Sequence, residues 1–472
     1  MRNERTSRAL TLGLCGGYFL VLLDVTIVNV ALPQIGTGLH AGASGLAWVV
    51  DAYTVPLAAL LLACGAIGDL LGHRRVVVAG FAGFGAASVV CALAPGLGWL
   101  IAGRAAQGVC AALMLPGTLA LLADTAPDEA ARARAVGLWA AVGGAALPAG
   151  PLVGGLLVET GQWRAVFWVN VPVIVVALAA VLWGSQRSRR SQGSYNLASD
   201  AGEASAERGV PWSDVPWAGA AALVVMLACA VTAVVQVRDE AGLSAVMLAM
   251  TVVAAVAFRF FERRSARPLL QVEAAARRPL AAACAVAGLM NFCVLGSLFL
   301  MTQVLQDTDG LSPLRAGALL LPGMLPLPLL GTTAGRLTTR FGPWRTSTVG
   351  LFLAAAGFVG IATGIDGPDL LRLLPALAVW GTGLSILTPA IVAAALRTLP
   401  AAPGIASGAS NTARQTGAAL GVAVFSALAG TATANGFVRH AAWLLTASAV
   451  AFVAVALISA RSTAVAKERA ST

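Results

Sequence analysis

The chain has 472 residues, of which 58% are hydrophobic and 11% charged, with 52 glycines and a formal net charge of +10. A soluble globular domain carries about 25% charged residues, so this chain lacks the charge to cover a soluble surface, and it reads as a polytopic membrane protein. Lys467, in the tail, is the sole lysine among 31 basic residues, which excludes a phosphate-cradling Walker A loop and a lysine Schiff base.

Apolar runs long enough to cross a bilayer, roughly 20 residues each, fall at about 9–32, 46–67, 76–94, 98–122, 135–158 and 165–184. After a gap they resume at about 214–236, 241–261, 279–302, 315–334, 346–364, 370–390, 405–430 and 440–460, fourteen in all. The first run is too long for a signal peptide, carries Asp24 and lacks a small-residue cleavage site. The gap, residues 185–213, is rich in Ser, Gly, Arg and acidic residues and has the composition of a disordered linker.

The basic residues give the orientation. With an even number of spans both termini share one side, and nearly all arginines fall in loops on that side. Arg164, Arg238, Arg315, Arg372 and Arg439 lie on the other, and Arg104 and Arg414 lie inside spans. By the positive-inside rule the termini are cytoplasmic. The positive charge is therefore a topology signal, and no nucleic-acid partner is expected. The seven cysteines sit in apolar runs without CxxC spacing and the three histidines are scattered, so neither disulfides nor a metal site is expected.

The chain also repeats itself. Gly65 and Gly72 have counterparts at Gly335 and Gly342, and Gly108, Pro116 and Pro127 have counterparts at Gly381, Pro389 and Pro400. The near-constant offset predicts two homologous six-helix halves around an axis along the membrane normal. The expected domains are 1–184, a linker 185–213, an inserted helix pair with its loop at 214–278, and a second half at 279–472. The expected fold class is an all-α integral membrane protein.

Ionisable groups inside spans are costly and point to function. Asp24 lies about eight residues from the outer end of its span, hence roughly 12 Å deep; Asp51 and Arg104 lie at similar depth on the second and fourth spans. Burial disfavours the charged form of a carboxylate and a nearby arginine favours it. If Arg104 meets Asp24 in only one conformation, Asp24 binds and releases a proton across a cycle. A permanent structural ion pair is the alternative, and Asp51 either couples protons or only lines the outer mouth. At the cytoplasmic end of the second span, Asp69, with Arg74 and Arg75, can latch one conformation by pairing with Arg132 or Arg134. Gly150, Pro151, Gly154 and Gly155 permit a bend and close helix approach, or generic packing. Polar candidates facing a cavity are Asn29, Asn291 and Gln303. Asn411, Arg414 and Gln415, nearer the cytoplasm, are candidates for a gate, and Tyr18, Trp48, Tyr53, Phe292 and Phe299 for a ligand wall.

These residues resemble the fourteen-span drug:proton antiporters of the major facilitator superfamily. Leu23-Asp24-Val-Thr26-Ile-Val-Asn29-Val-Ala-Leu-Pro33 is similar to that family's first-helix signature, and Gly65-Ala-Ile-Gly-Asp69-Leu-Leu-Gly72-His73-Arg74-Arg75 to the superfamily loop motif, with Leu70 and His73 in usually basic positions. Leu100-Ile-Ala-Gly-Arg104-Ala-Ala-Gln107-Gly108 resembles the fourth-helix motif whose arginine is implicated in proton transfer. Gly150-Pro151-Leu-Val-Gly154-Gly155 resembles the core of the antiporter motif, although Ala146 and Pro148 replace glycine-rich positions upstream. Trp163 to Pro172, Gly310 to Gly317 and Ser407 to Gly417 add to the likeness. The resemblance implies a major facilitator fold with two inserted central helices and proton-driven export of amphipathic toxic compounds. It implies no cofactor, a monomer in the bacterial cytoplasmic membrane, and the bilayer, protons and a small molecule as partners. A narrow-substrate metabolite transporter of the same fold is the alternative; a polytopic membrane enzyme is disfavoured because no convergent His, Asp or Cys cluster exists.

Overall fold

The computed structural model describes residues 2–124, 129–192, 217–237, 240–265, 274–365, 373–399, 403–430 and 436–471. Among them the chain is helical, as the bilayer requires: lipid offers no hydrogen-bond partner, so each backbone N–H and C=O must be satisfied within its own segment. The first group of helices is α1 (Arg2–Leu39), α2 (Ala43–Leu71), α3 (His73–Ala92), α4 (Leu97–Asp124), α5 (Glu129–Gly161), the one-turn α6 (Ala165–Trp168) and α7 (Asn170–Gln192). Next come α8 (Trp217–Val235) and α9 (Ala241–Arg264). The last group is α10 (Ala274–Gln303), α11 (Pro313–Met324), α12 (Pro326–Phe341), α13 (Pro343–Gly364), α14 (Leu373–Thr398), α15 (Pro403–Ala429) and α16 (Phe437–Ser471).

Thirteen spans among the described residues are long and apolar enough to cross a membrane, α11 and α12 forming one of them. The fourteenth expected span coincides with α15, whose first half carries Ser407, Ser410, Asn411, Arg414 and Gln415. A helix with one polar stripe can still cross if that stripe faces the bundle interior. Two boundaries differ from the sequence reading. The expected single span at 315–334 breaks at Leu325, because Pro326, without an N–H, opens a new helix there. The polar stretch expected from 185 onward begins as a continuation of α7 to Gln192, and residues 193–213 lie outside the described residues.

Helices α1–α5 and α7 pack on one another, as do α10–α16, and the two groups meet along two seams, α2 against α15 and α5 against α11. The α8–α9 pair rests through α8 on α2 and α15, covering the first seam, while α9 touches chiefly α8 and exposes Val246, Leu248, Val252, Val253 and Val256. That face is an apolar surface suited to lipid.

The internal repeat has a structural counterpart. Gly72, joining α2 to α3, has φ +84°, and Gly342, joining α12 to α13, has φ +85°, a region that L side chains avoid. Gly108 of α4 lies on the backbone of Tyr53 in α2, and Gly381 of α14 lies on the backbone of Gly323 in α11. In each group, then, a glycine at the repeat offset lets two helices touch backbone to backbone, the packing that membrane interiors favour.

Substituting Gly108→Val or Gly381→Val is expected to lower stability by about 1–3 kcal/mol through overpacking. Gly331→Ala, where an added Cβ meets open space, is expected to leave the thermal unfolding midpoint of the detergent-solubilised protein unchanged.

Candidate functional site

The first helix group encloses a charged cluster assembled from five helices. Arg104 of α4 donates through Nη1 to Asp24 Oδ2 of α1, and both side chains are out of contact with solvent, at 1% and 0% exposure. Arg104 Nη1 also donates to Gln107 Oε1 at 3.0 Å, and Arg104 Nε to the carbonyl of Val49 in α2 at 3.0 Å. The second oxygen of Asp24 accepts from Asn170 Nδ2 at 3.0 Å, at the first residue of α7. Gln107 Nε2 donates to Ser88 Oγ of α3 at 2.8 Å, and Ser88 Oγ donates to the Phe84 carbonyl at 2.8 Å. The guanidinium lies 4.4 Å from the centre of the Tyr53 ring, whose hydroxyl donates to the Val21 carbonyl at 3.1 Å.

Local sequence explains this placement. Arg104 and Gln107 are three apart and therefore neighbours on one helix face. Gly108 follows on α4 and lets α4 approach α2 closely, which brings the guanidinium over Tyr53. Thr26 and Asn29, on the next turn of α1 after Asp24, spend their donors on their own helix, at Leu23 and Val25 respectively.

A buried ion pair survives in a low dielectric only when its remaining donors and acceptors are also met. Here both carboxylate oxygens accept, one from a cation and one from an amide, an arrangement suited to the ionised carboxylate. Protonation of Asp24 would remove the charge that holds Arg104, leaving it Gln107, the Val49 carbonyl and the Tyr53 ring.

Asp51 stands apart from this cluster. It is fully buried, its Oδ1 lies 3.4 Å from Thr54 Oγ1, and its Oδ2 has no hydrogen-bond partner. Tyr53 is likewise buried beneath Arg104, and Phe299 is buried in the core; neither forms an accessible wall. Phe292 packs edge-on to Phe425 with centroids 5.7 Å apart, Asn291 is buried, and Gln303 reaches only the Phe299 carbonyl, at 3.4 Å. A π-helical turn follows at Val304–Thr308. From it Gln306 Nε2 donates to the Val30 carbonyl of α1 at 3.0 Å, tying the two groups together.

The glycine motif of α5 lies where three helices converge. A Cβ at Gly150 would collide with Thr26, one at Gly154 would press on Ile27, and one at Gly155 would meet the backbone of Pro313 and Leu314 in α11. From the other side, Gly317 of α11 lies on the backbone of Pro151. This motif thus joins α1, two residues from Asp24, to the seam between the groups. Further bonds between the groups, Ser426 Oγ to the Ala43 carbonyl at 3.0 Å and Ser312 Oγ to Glu159 Oε2 at 3.4 Å, lie at the same end of the bundle.

Gly65 and Asp69 fall in the last turns of α2, and Gly72, Arg74 and Arg75 at its junction with α3. The side chains of Asp69, Arg132 and Arg134 lie outside those described, so the expected latch is neither assembled nor dismantled here. Asn411, Arg414 and Gln415 are partly buried on α15. Tyr18 of α1 stacks flat on Trp139 of α5, with centroids 3.6 Å apart at 8°.

The sequence reading omitted Ser88, Gln107, Asn170 and Trp139 from the candidate site. Gln107 was findable from its three-residue spacing to Arg104 and Asn170 from its position in a quoted motif. Ser88, one hydroxyl in a Gly/Ala-rich helix, and Trp139 carried no such signal. Among the described residues no group of three or more His, Cys, Asp or Glu is placed to hold a metal ion.

Comparison with known proteins agrees with this architecture. The family model described as Major Facilitator Superfamily matches residues 14–422. The chain is 32% identical over 423 residues to the tetracenomycin C resistance and export protein of Streptomyces glaucescens, covering 87% of this chain and 74% of that one. It is 34% identical to the puromycin resistance protein pur8 of Streptomyces alboniger, over 89% and 81% of the two chains. It is 31% identical to the methyl viologen resistance protein SmvA of Salmonella typhimurium, over 87% and 80%. Among solved structures, a peptide transporter POT in complex with sulfate superposes with a TM-score of 0.67 at 16% identity, over 96% of this chain and 94% of that one; at this identity the likeness is one of fold.

Removing one partner of the buried pair should expose its cost. Arg104→Leu, which strands Asp24, is expected to destabilise by about 3–5 kcal/mol. The double variant Asp24→Asn/Arg104→Leu is expected to be more stable than Arg104→Leu alone, a coupling that a double-mutant cycle on unfolding free energies would measure.

Proposed function

Because the chain belongs to the major facilitator superfamily, we propose that it is a proton-coupled exporter of amphipathic toxic small molecules, working by alternating access. It is a multi-pass membrane protein; we place its termini in the cytoplasm from the arginine distribution, and its membrane as the bacterial cytoplasmic one. The relatives' names, resistance and export proteins for tetracenomycin C, puromycin and methyl viologen, support the substrate class. The observation that carries the coupling is the fully buried Asp24–Arg104 pair.

The cycle follows from the contacts. With Asp24 ionised, Arg104 is held, and α1, α2, α3, α4 and α7 share one polar network. A proton on Asp24 removes the carboxylate charge that holds Arg104 and frees α1 from α4. The turn of α1 that follows, Thr26–Ile27, bears on Gly150 and Gly154 of α5. Helix α5 in turn bears through Pro151 and Gly155 on α11. Displacement of α1 is thereby transmitted to the seam on which the two groups rock. This is a contiguous set of packed surfaces whose equilibrium Asp24 biases, the physical requirement for coupling. Asp51, buried on the neighbouring helix, takes part as a second proton-carrying group, and the loop from Gly65 to Arg75 latches the cytoplasmic end. In this reading no cofactor is needed, no reaction is catalysed, and a single chain suffices.

Reconstituted into vesicles with an imposed proton gradient, the wild type is expected to accumulate a neutral amphipathic fluorophore against its concentration. Asp24→Asn is expected to bind the fluorophore yet lose uphill transport at least about tenfold. Uphill transport that persists in the variant, with unchanged proton movement, would overturn the coupling role; a wild type that moves no neutral or cationic drug would favour a narrow-substrate transporter.

A further inference from the structure

The network around Asp24 contains one buried polar atom that it does not use. Asn170 is fully buried, and its Nδ2 donates to Asp24 Oδ1 at 3.0 Å and to Ser88 Oγ at 3.4 Å. The other end of the same amide, Oδ1, is shielded from solvent and has no hydrogen-bond partner. An unmet buried acceptor is a standing cost. The backbone sets this placement. The one-turn α6 ends at Trp168 and α7 begins at Asn170, with Pro172, which has no N–H to extend an earlier helix, two residues on. Helix α7 packs against both α1 and α3, the helices that carry Asp24 and Ser88.

Protonation of Asp24 changes what its neighbours must supply. A carboxylate only accepts hydrogen bonds, whereas a carboxylic acid has an O–H that needs an acceptor. Asp24 has no contact with solvent, and two side chains are hydrogen-bonded to it, Arg104 and Asn170. Arginine has no acceptor atom, which leaves the amide of Asn170. The next polar atoms out are already engaged: Ser88 Oγ receives Gln107 Nε2, and Gln107 Oε1 receives Arg104 Nη1. The ionisable groups around the carboxyl are Arg104 of α4, Tyr53 of α2 and Cys91 of α3. Tyr53 lies under the guanidinium with its hydroxyl on the Val21 carbonyl, and the Cys91 thiol points to Gln107 Oε1 at 3.5 Å. Asp51, also on α2, contacts Thr54. Among the described residues Arg104 is the one ionisable side chain hydrogen-bonded or ion-paired to Asp24.

We infer that Asn170 is a positioning residue whose amide turns over when Asp24 takes up a proton. In the ionised state Nδ2 donates to Asp24 Oδ1, the arrangement found here. When the incoming proton forms an O–H bond on Asp24 Oδ1, rotation about the Asn170 Cβ–Cγ bond exchanges Nδ2 and Oδ1. The acid then donates to Asn170 Oδ1. The far end of the amide carries one unpaired group in either orientation, so the exchange adds no further orphan there. Helix α1 lets go of α4 but stays tied to α7, and the proton redirects α1 toward one neighbour instead of loosening it from both. This role rests on the proton-coupled reading and deepens it, by naming the group that lets Asp24 be neutral while buried.

Infrared difference spectra between alkaline and acid pH test this on the full-length protein in vesicles. Asparagine labelled with heavy carbon at its side-chain carbonyl isolates the asparagine C=O stretch. Accepting a hydrogen bond weakens a C=O bond and lowers its frequency. The wild type is expected to show an asparagine C=O band that moves to lower frequency on acidification, together with the protonated-carboxyl band of Asp24. Asp24→Asn is expected to lose both changes, and Asn170→Ser to lose the asparagine change alone. If Asn170 only braces α7, its carbonyl stays free, and its band holds still or rises as the N–H bond to Asp24 weakens. Either result overturns the proposal, from the wild-type spectrum alone. In gradient-driven uptake, Asn170→Leu, which can neither donate nor accept, is expected to bind the fluorophore yet lose uphill transport at least about tenfold, with partial rescue in Asn170→Ser. Full transport by Asn170→Leu would also overturn it. A carboxyl band without an asparagine shift removes this role and leaves proton coupling standing, whereas absence of the carboxyl band removes the coupling and this role with it.

Discussion

The Asp24–Arg104 pair is the interaction on which the first half of this protein is organised. In a bilayer interior neither charge is tolerable alone, so each helix that approaches the pair must bring a complementary group. The Val49 carbonyl, Ser88, Gln107 and Asn170 do so from α2, α3, α4 and α7. Charge thereby specifies which helices neighbour one another, a task that uniform apolar packing performs poorly because lipid is as apolar as the helices themselves. In the proposed cycle the same pair is where a single proton acts. One group would thus serve both as an assembly determinant and, under the proposed cycle, as the point at which a gradient acts.

Among the described residues the second half has no buried ion pair of this kind. At the position that the repeat aligns with Arg104 stands Leu377, which is buried and packs beside Gly323. Close backbone contacts take the place of the ion pair: Gly417 on Gly288, Gly421 on Phe292, and Gly357 on Trp380. The inserted α8–α9 pair covers the α2–α15 seam and leaves the α5–α11 seam uncovered. It is the uncovered seam that carries the glycine motif.

Much of this was legible in the sequence, for physical reasons that can be named. Helices were visible because a bilayer permits little else, and their number followed from apolar run lengths checked by the alternation of arginines. The repeat was visible at glycines because positive φ at Gly72 and Gly342 and close approach at Gly108 and Gly381 each exclude other residues. Asp24 and Arg104 stood out because charge inside a span is rare. What stayed hidden were neutral partners such as Ser88, whose residue type is unremarkable inside a membrane helix. Asp51 lies outside the pair because depth fixes height along the bundle and not the direction a side chain faces. Trp139 and Tyr18 were separable from lipid-facing aromatics only once the helices were placed.

The claim that most needs testing is that Asp24 itself takes up the proton. Infrared difference spectra of the reconstituted protein between acid and alkaline pH report the carboxyl C=O stretch directly. A protonated-carboxyl band that appears on acidification in the wild type, persists in Asp51→Asn and vanishes in Asp24→Asn is the expected result. A band unchanged by Asp24→Asn would contradict the account, because the proton would then be bound elsewhere and the pair with Arg104 would be only a structural tie.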